Sequence, residues 1–140
     1  SPVWLPLLQQ LAQKNRLIRY DSRGNGLSDR NVDDISFASF ARDFDAVVGA
    51  SKAERFAVLG ISQGAAIAID YAVRHPDRVT KLVLHGGYAI GRNRRGSAEE
   101  TDKAHVFLSM MRQGWGDEHS AFMRAFVSVF IPNGSSEQIK

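Results

Sequence analysis

Phe56-Ala57-Val58-Leu59 runs directly into Gly60-Ile61-Ser62-Gln63-Gly64: an apolar run, a glycine-flanked serine, then a stretch of small residues. The pattern G-x-S-x-G places a serine on a sharp strand-to-helix turn with its hydroxyl exposed. A continuous apolar run before it is expected of a strand buried on both faces of a parallel sheet. Glycine at 60 and at 64 is expected because a Cβ at either position would strike the strand or the helix. After the serine, Gln63 to Arg74 reads as a helix whose Gly64, Ala65, Ala66 and Ala68 allow close approach to the sheet. His75-Pro76 stops it, since the residue before a proline is biased away from helical backbone.

The same alternation extends on both sides. Val79 to Leu84 reads as a second buried strand ending at Gly86-Gly87. Upstream, Trp4 to Ala12 has helical spacing led in by Pro2, and Arg16 to Tyr20 reads as a short strand closed by the glycine-rich turn Asp21-Ser22-Arg23-Gly24-Asn25-Gly26-Leu27-Ser28. Ser36 is placed to cap a helix over about residues 37–48, with Phe37, Phe40, Phe44 and Val47 at helical spacing. Strand, helix, strand, helix, strand in this order implies right-handed crossovers and a parallel sheet. From Gly91 the pattern turns helical, with Phe107, Leu108, Met110, Met111 and Trp115 followed by Phe122, Phe126, Val129 and Phe130. The chain therefore divides into a sheet-bearing part, 1–90, and a helical part, 91–140.

Composition excludes several chemistries. With no cysteine among 140 residues there are no disulfides, thiolate metal sites or cysteine nucleophiles, which fits a reducing cytoplasm. No apolar run approaches the roughly 20 residues of a membrane helix, so no membrane partner is expected. The net charge of +3 is concentrated around Arg92, Arg94 and Arg95, without interleaved aromatics or a nucleic-acid module, so a solvated loop is expected and not a nucleic-acid surface.

Taken together, these residues resemble the α/β-hydrolase superfamily. There a strand is followed by a D-x-R-G-x-G-x-S turn, complete here as Asp21, Arg23, Gly24, Gly26 and Ser28, then a helix, the nucleophile strand, its elbow and helix, and a segment like Arg74-His75-Pro76-Asp77-Arg78-Val79. The resemblance covers residues 1–90 closely. The helical remainder is similar to the start of the cap, or lid, inserted at this point in many members. Gly60 to Gly64 with His85-Gly86-Gly87-Tyr88 and the arginines after it looks most like bacterial hydrolase domains, some of them fused to LuxR-type DNA-binding or cyclase modules.

The resemblance implies a partial parallel-sheet α/β core and a serine hydrolase of carboxylesterase or lactonase type, acting without cofactor or metal on a small ester or related acyl compound. Ser62 would be the nucleophile and the Gln63 backbone N–H an oxyanion donor. In this family the second donor comes from a loop before the first helix seen here, and acid and histidine follow beyond the cap in the order Ser…Asp/Glu…His. Both partners of Ser62 are thus expected outside this chain.

Within it, His75 lies about 18 Å down the helix at about 1.5 Å per residue, too far to serve. His85 ends the neighbouring strand on the edge where such sheets place ligands. It is expected, with Ile61, to line the pocket. His105 and His119 are expected to face solvent. His85-Gly86-Gly87 differs from the lipase oxyanion motif because that motif precedes the nucleophile. Asp21 and Arg23 are expected to hold their turn, and Asp29 and Asp33 lack the histidine a ligand set would need. A sheet with so few strands exposes long edges, so association with remaining hydrolase segments or a second copy is expected. The alternative reading is a ligand-binding or sensory module that keeps the fold without its triad.

Overall fold

The computed structural model describes residues 4–91, 94–114 and 125–126. The chain forms two compact units, Ser1–Ala89 and Ile90–Lys140. The first contains α1 (Leu5–Ala12), α2 (Phe37–Ser51), β1 (Phe56–Ile61), α3 (Gln63–Arg74) and β2 (Val79–His85), and the second contains α4 (Ala98–Gly114).

β1 and β2 pair in parallel, with Phe56 opposite Val79 and Ile61 opposite His85. The connection is α3, as a parallel crossover requires. The register shifts between Phe56 and Ala57. Burial falls short of the two-faced burial that the apolar runs suggest. On β1 only Val58 and Gly60 are buried, and β2 is exposed from Thr80 to His85. The reason is coverage. α3 packs on one face, while Leu59 and Ile61 look out from the other and remain more than a third exposed.

Arg16 to Tyr20 is not a strand. It carries no ladder hydrogen bonds among the described residues. β-character there is a matter of pairing, and its apolar residues satisfy composition without supplying a partner.

Each helix shows its local cause. α2 starts at Ser36, whose backbone is extended and whose Oγ accepts from the Ser39 N–H at 3.3 Å. It ends at Lys52 in left-handed backbone. Its buried residues are Ser39, Ala41, Val48 and Ser51, whereas Phe37 is half exposed and Phe40 and Phe44 border a cleft. α3 buries Ala65, Ile67, Ala68 and Tyr71, so its small residues do seat it on the sheet. Tyr71 centres an aromatic group with Phe44, Phe56 and His75, at ring distances of 5.0, 5.7 and 4.5 Å. α1, with Pro6 in its first turn, buries none of its residues.

In the second unit, α4 opens with a reciprocal cap. The Ser97 N–H donates to Glu100 at 2.7 Å, and the Glu100 N–H donates to the Ser97 Oγ at 3.3 Å. This S-x-x-E box satisfies two of the amides at the start of α4. Ala104 is buried, Met110 and Leu108 are exposed, and Phe107 stacks on Phe126 at 6.1 Å. Arg92, Trp115, His119, Phe122, Val129 and Phe130 lie outside the described residues. No described helix is long and apolar enough to cross a membrane.

Candidate active site

Ser62 sits between the end of β1 and the start of α3, with φ 53° and ψ −121°. Positive φ is rare for a residue with a Cβ, and such a conformation costs about 1–3 kcal/mol. Only Lys52 shares it among the described non-glycine residues. Ser62 occupies the N-cap position of α3, yet its side chain makes no capping hydrogen bond, and the residue is exposed. A serine placed only to cap the helix would accept from an amide one turn on; this hydroxyl does not.

Backbone bonds fix the turn. The Ser62 N–H donates to the His85 carbonyl at 2.9 Å, and the Ala65 N–H donates to the Ser62 carbonyl at 3.0 Å. The Gln63 and Gly64 amides have no backbone acceptor among the described residues. They are the first donors of α3, where unsatisfied N–H groups and the helix dipole favour negative charge.

The two elbow glycines differ. A Cβ on Gly60 would lie 2.7 Å from the Ala65 Cα and 2.9 Å from the Ala68 Cβ, so only glycine fits. A Cβ on Gly64 would meet nothing within 4 Å, contrary to the expectation that both positions are sterically closed. Gly64 borders a cleft of about 230 Å³, not the sheet. Gln63, Tyr20, Ser22, Phe44 and Ile67 also line that cleft. Ile61 and His85 lie outside it.

The histidines divide by environment. His85 pairs in register with Ile61, and its ring meets Trp4 edge-on at 5.5 Å. It makes no side-chain bond to a carboxylate among the described residues. His75 packs on Tyr71 and lies 3.1 Å from Arg74 Nη1, closing the far end of α3. His105 is exposed on α4. No group of three His, Cys, Asp or Glu side chains suited to a metal occurs among the described residues.

The Asp21–Ser28 turn is held by its own side chains. Asp21 Oδ2 accepts from the Leu27 N–H at 3.0 Å, and the Ser28 hydroxyl donates to the Asp21 carbonyl at 2.6 Å. Gly24 and Gly26 both have positive φ. Arg23 carries the turn to α2 with a two-pronged bond to Asp43, 2.7 Å on each arm, and a third bond to the Asp34 carbonyl at 2.9 Å. The Arg23 guanidinium holds the Asp43 carboxyl below the usual carboxylate range. Bonds from Ser39 and Ser36 do the same for Asp34. Burial, followed by the Asp43 charge, pushes the Tyr20 phenol up.

The family model described as the alpha/beta hydrolase fold matches residues 1–135. The chain belongs to that family. Among curated proteins it is similar to one called "Putative carbamate hydrolase RutD" from Azorhizobium caulinodans, 34% identical over 86 residues, and to a protein of the same name from Escherichia coli O1:K1 / APEC, 36% identical over 86 residues. Each match takes in 61% of this chain and 32% of the relative, so the likeness covers about a third of those proteins. Among solved structures, a hydrolase from Pseudomonas aeruginosa PA01 superposes with a TM-score of 0.69 at 20% identity, over 97% of this chain and 50% of the other. At that identity the likeness is one of fold.

Proposed function

We propose that this chain carries the nucleophile of a serine hydrolase, with Ser62 attacking the carbonyl carbon of an ester, lactone or related acyl compound. The observation that carries this reading is the Ser62 backbone at φ 53° with a hydroxyl not spent on capping. In this reaction Oγ bonds to the carbonyl carbon, its proton passes to a histidine base, and the carbonyl oxygen becomes an oxyanion facing the Gln63 N–H. The leaving group departs with that proton, and water then releases the acid and regenerates Ser62. Carbamates, for which the RutD relatives are named, contain the same electrophilic carbon.

The histidine and its carboxylate are assigned to residues outside those described, because His85 faces Trp4 and has no carboxylate partner among the described residues. The helical unit from Ile90 is read as the cap, on its α-helical character and its position after β2. No cofactor enters the reaction. The protein is proposed to be cytoplasmic, with the exposed β2 surface meeting remaining hydrolase segments or a second copy.

The test is covalent labelling of the gene-encoded polypeptide that contains these residues with a fluorophosphonate. Mass spectrometry should place the adduct on Ser62, and Ser62→Ala should abolish it. A polypeptide that hydrolyses no p-nitrophenyl ester and takes no label at Ser62 would instead be a ligand-binding module on this fold. The 140-residue chain alone is expected to hydrolyse such esters no faster than its Ser62→Ala form, since loss of the base removes several orders of magnitude in rate. Robust hydrolysis lost in His85→Ala would move the base to His85.

A further inference from the structure

The tandem glycines after β2 have no part in the oxyanion motif their sequence resembles, yet they stand beside the elbow. Their environments differ. Gly86 has φ +58° and open space around its missing Cβ, so it serves a change of chain direction. Gly87 has no such φ, and a Cβ there would overlap the Cβ of Ala65, with the Ala65 Cα at 3.9 Å and the Leu84 Cβ at 4.0 Å. The requirement at 87 is therefore for space.

Ala65 is fully buried in the first turn of α3. Gly60 abuts its Cα from β1, and Gly87 abuts its Cβ from the segment leaving β2. That same segment begins at His85, whose carbonyl holds the Ser62 N–H. The first turn of α3 is thus gripped between two places where a side chain is missing. Displacing the chain at 87 would strain both the His85 bond and the orientation of the Gln63 amide.

We propose that Gly87 is a positioning residue for the Ser62 elbow, admitting the chain after β2 against Ala65 so that the Ser62 and Gln63 amides are held in place; its catalytic consequence rests on the hydrolase reading above. Gly87→Ala should force that contact apart. A misplacement near 1 Å can cost about 100-fold in rate, so in the gene-encoded polypeptide that contains these residues labelling of Ser62 should slow by about 10- to 100-fold, with kcat falling and KM little changed. Ala65→Gly in the same chain removes the opposing Cβ and should restore most of the loss, a coupling that neighbours in contact show and distant sites do not.

The deciding measurements are amide hydrogen exchange and Ser62 labelling in Gly87→Ala, in Ala65→Gly/Gly87→Ala, and in Gly49→Ala as an open-space control. Gly87→Ala should accelerate exchange at Ser62 and Ala65 while the amides around Tyr71 stay protected, and the double variant should reverse this. If Gly87→Ala alone fails to fold, recovery of folding in the double variant supports the proposal and continued failure overturns it. Wild-type exchange at Ser62 in Gly87→Ala, or a loss that Ala65→Gly does not reverse, also overturns it. If no form takes label at Ser62, the hydrolase reading fails, and exchange still decides whether Gly87 holds the elbow.

Discussion

Two tight turns shape this half of the molecule, and they are held by opposite means. The Asp21–Ser28 turn is built from polar side chains: Asp21 and Ser28 close it, and Arg23 ties it to Asp43 and to the Asp34 carbonyl. The elbow at Ser62 is built from missing side chains, with Gly60 and Gly87 making room for Ala65 and backbone bonds setting the register. A turn of the first kind fails when a charge is lost. One of the second kind fails when volume is gained. Ser62 needs the second kind, because any polar group recruited to hold it would compete for its hydroxyl.

The largest expected effect is at Gly60. Gly60→Ala brings a Cβ to 2.7 Å from backbone at Ala65, and since backbone cannot yield as a side chain does, the cost should reach about 3 kcal/mol, read as a lower midpoint in urea unfolding. A midpoint equal to wild type would break the volume argument.

Next is Arg23→Ala, which leaves Asp43 without its partner. The variant removes both arms of the charge-assisted bond to Asp43 and the bond to the Asp34 carbonyl, so the urea midpoint at neutral pH should fall. The pH dependence follows from the Asp43 carboxyl. Its folded pKa is depressed, so the stabilisation is present above the ordinary carboxylate pKa of about 3.9 and is lost as pH falls from there through the folded value. Urea midpoints between pH 6 and pH 2 should fall less steeply in Arg23→Ala than in wild type. Parallel curves would mean that Asp43 is not the group being titrated.

Smaller, and opposite in sign, is Gly64→Ala. Its side is open, and alanine is better than glycine in a helix by up to about 1 kcal/mol, so thermal unfolding should shift slightly upward. A large loss would show that position 64 is closed after all. Smallest is Tyr71→Phe. The buried Tyr71 hydroxyl has no hydrogen-bond partner among the described residues, so removing it should leave stability unchanged or slightly raised, and a clear destabilisation would reveal a partner.

Much of this was legible in the residues. The elbow pattern places Ser62, the small residues of α3 announce its close seating on β1, Ser36 marks the start of α2 and His75-Pro76 the end of α3. These are local signals acting over one helical turn or less. What escaped depends on contacts between distant positions. Arg23 finds Asp43 twenty residues away. Arg16 to Tyr20 has strand composition without a strand partner, and β1 and β2 are apolar enough for two-sided burial but covered on one side. The closed side of Gly60 and the open side of Gly64 are invisible in a motif that writes both simply as glycine. At the candidate site the place of Ser62 on the strand-to-helix turn could be read from spacing alone, whereas His85 could be placed at a strand end but not turned toward Trp4.

Arg74 carries a consequence for ionic strength. At the far end of α3 it bonds Asp70 at 2.8 Å and Asp45 of α2 at 3.1 Å, and its guanidinium lies 5.6 Å from the Tyr71 ring centre. These groups are partly exposed, so added salt screens their attraction within a Debye length of about 8 Å at physiological strength. The Ser62 end of the same helix relies on packed backbone, which salt does not screen. α3 should therefore loosen from its carboxyl end as salt rises, while the serine at its amino end keeps its geometry.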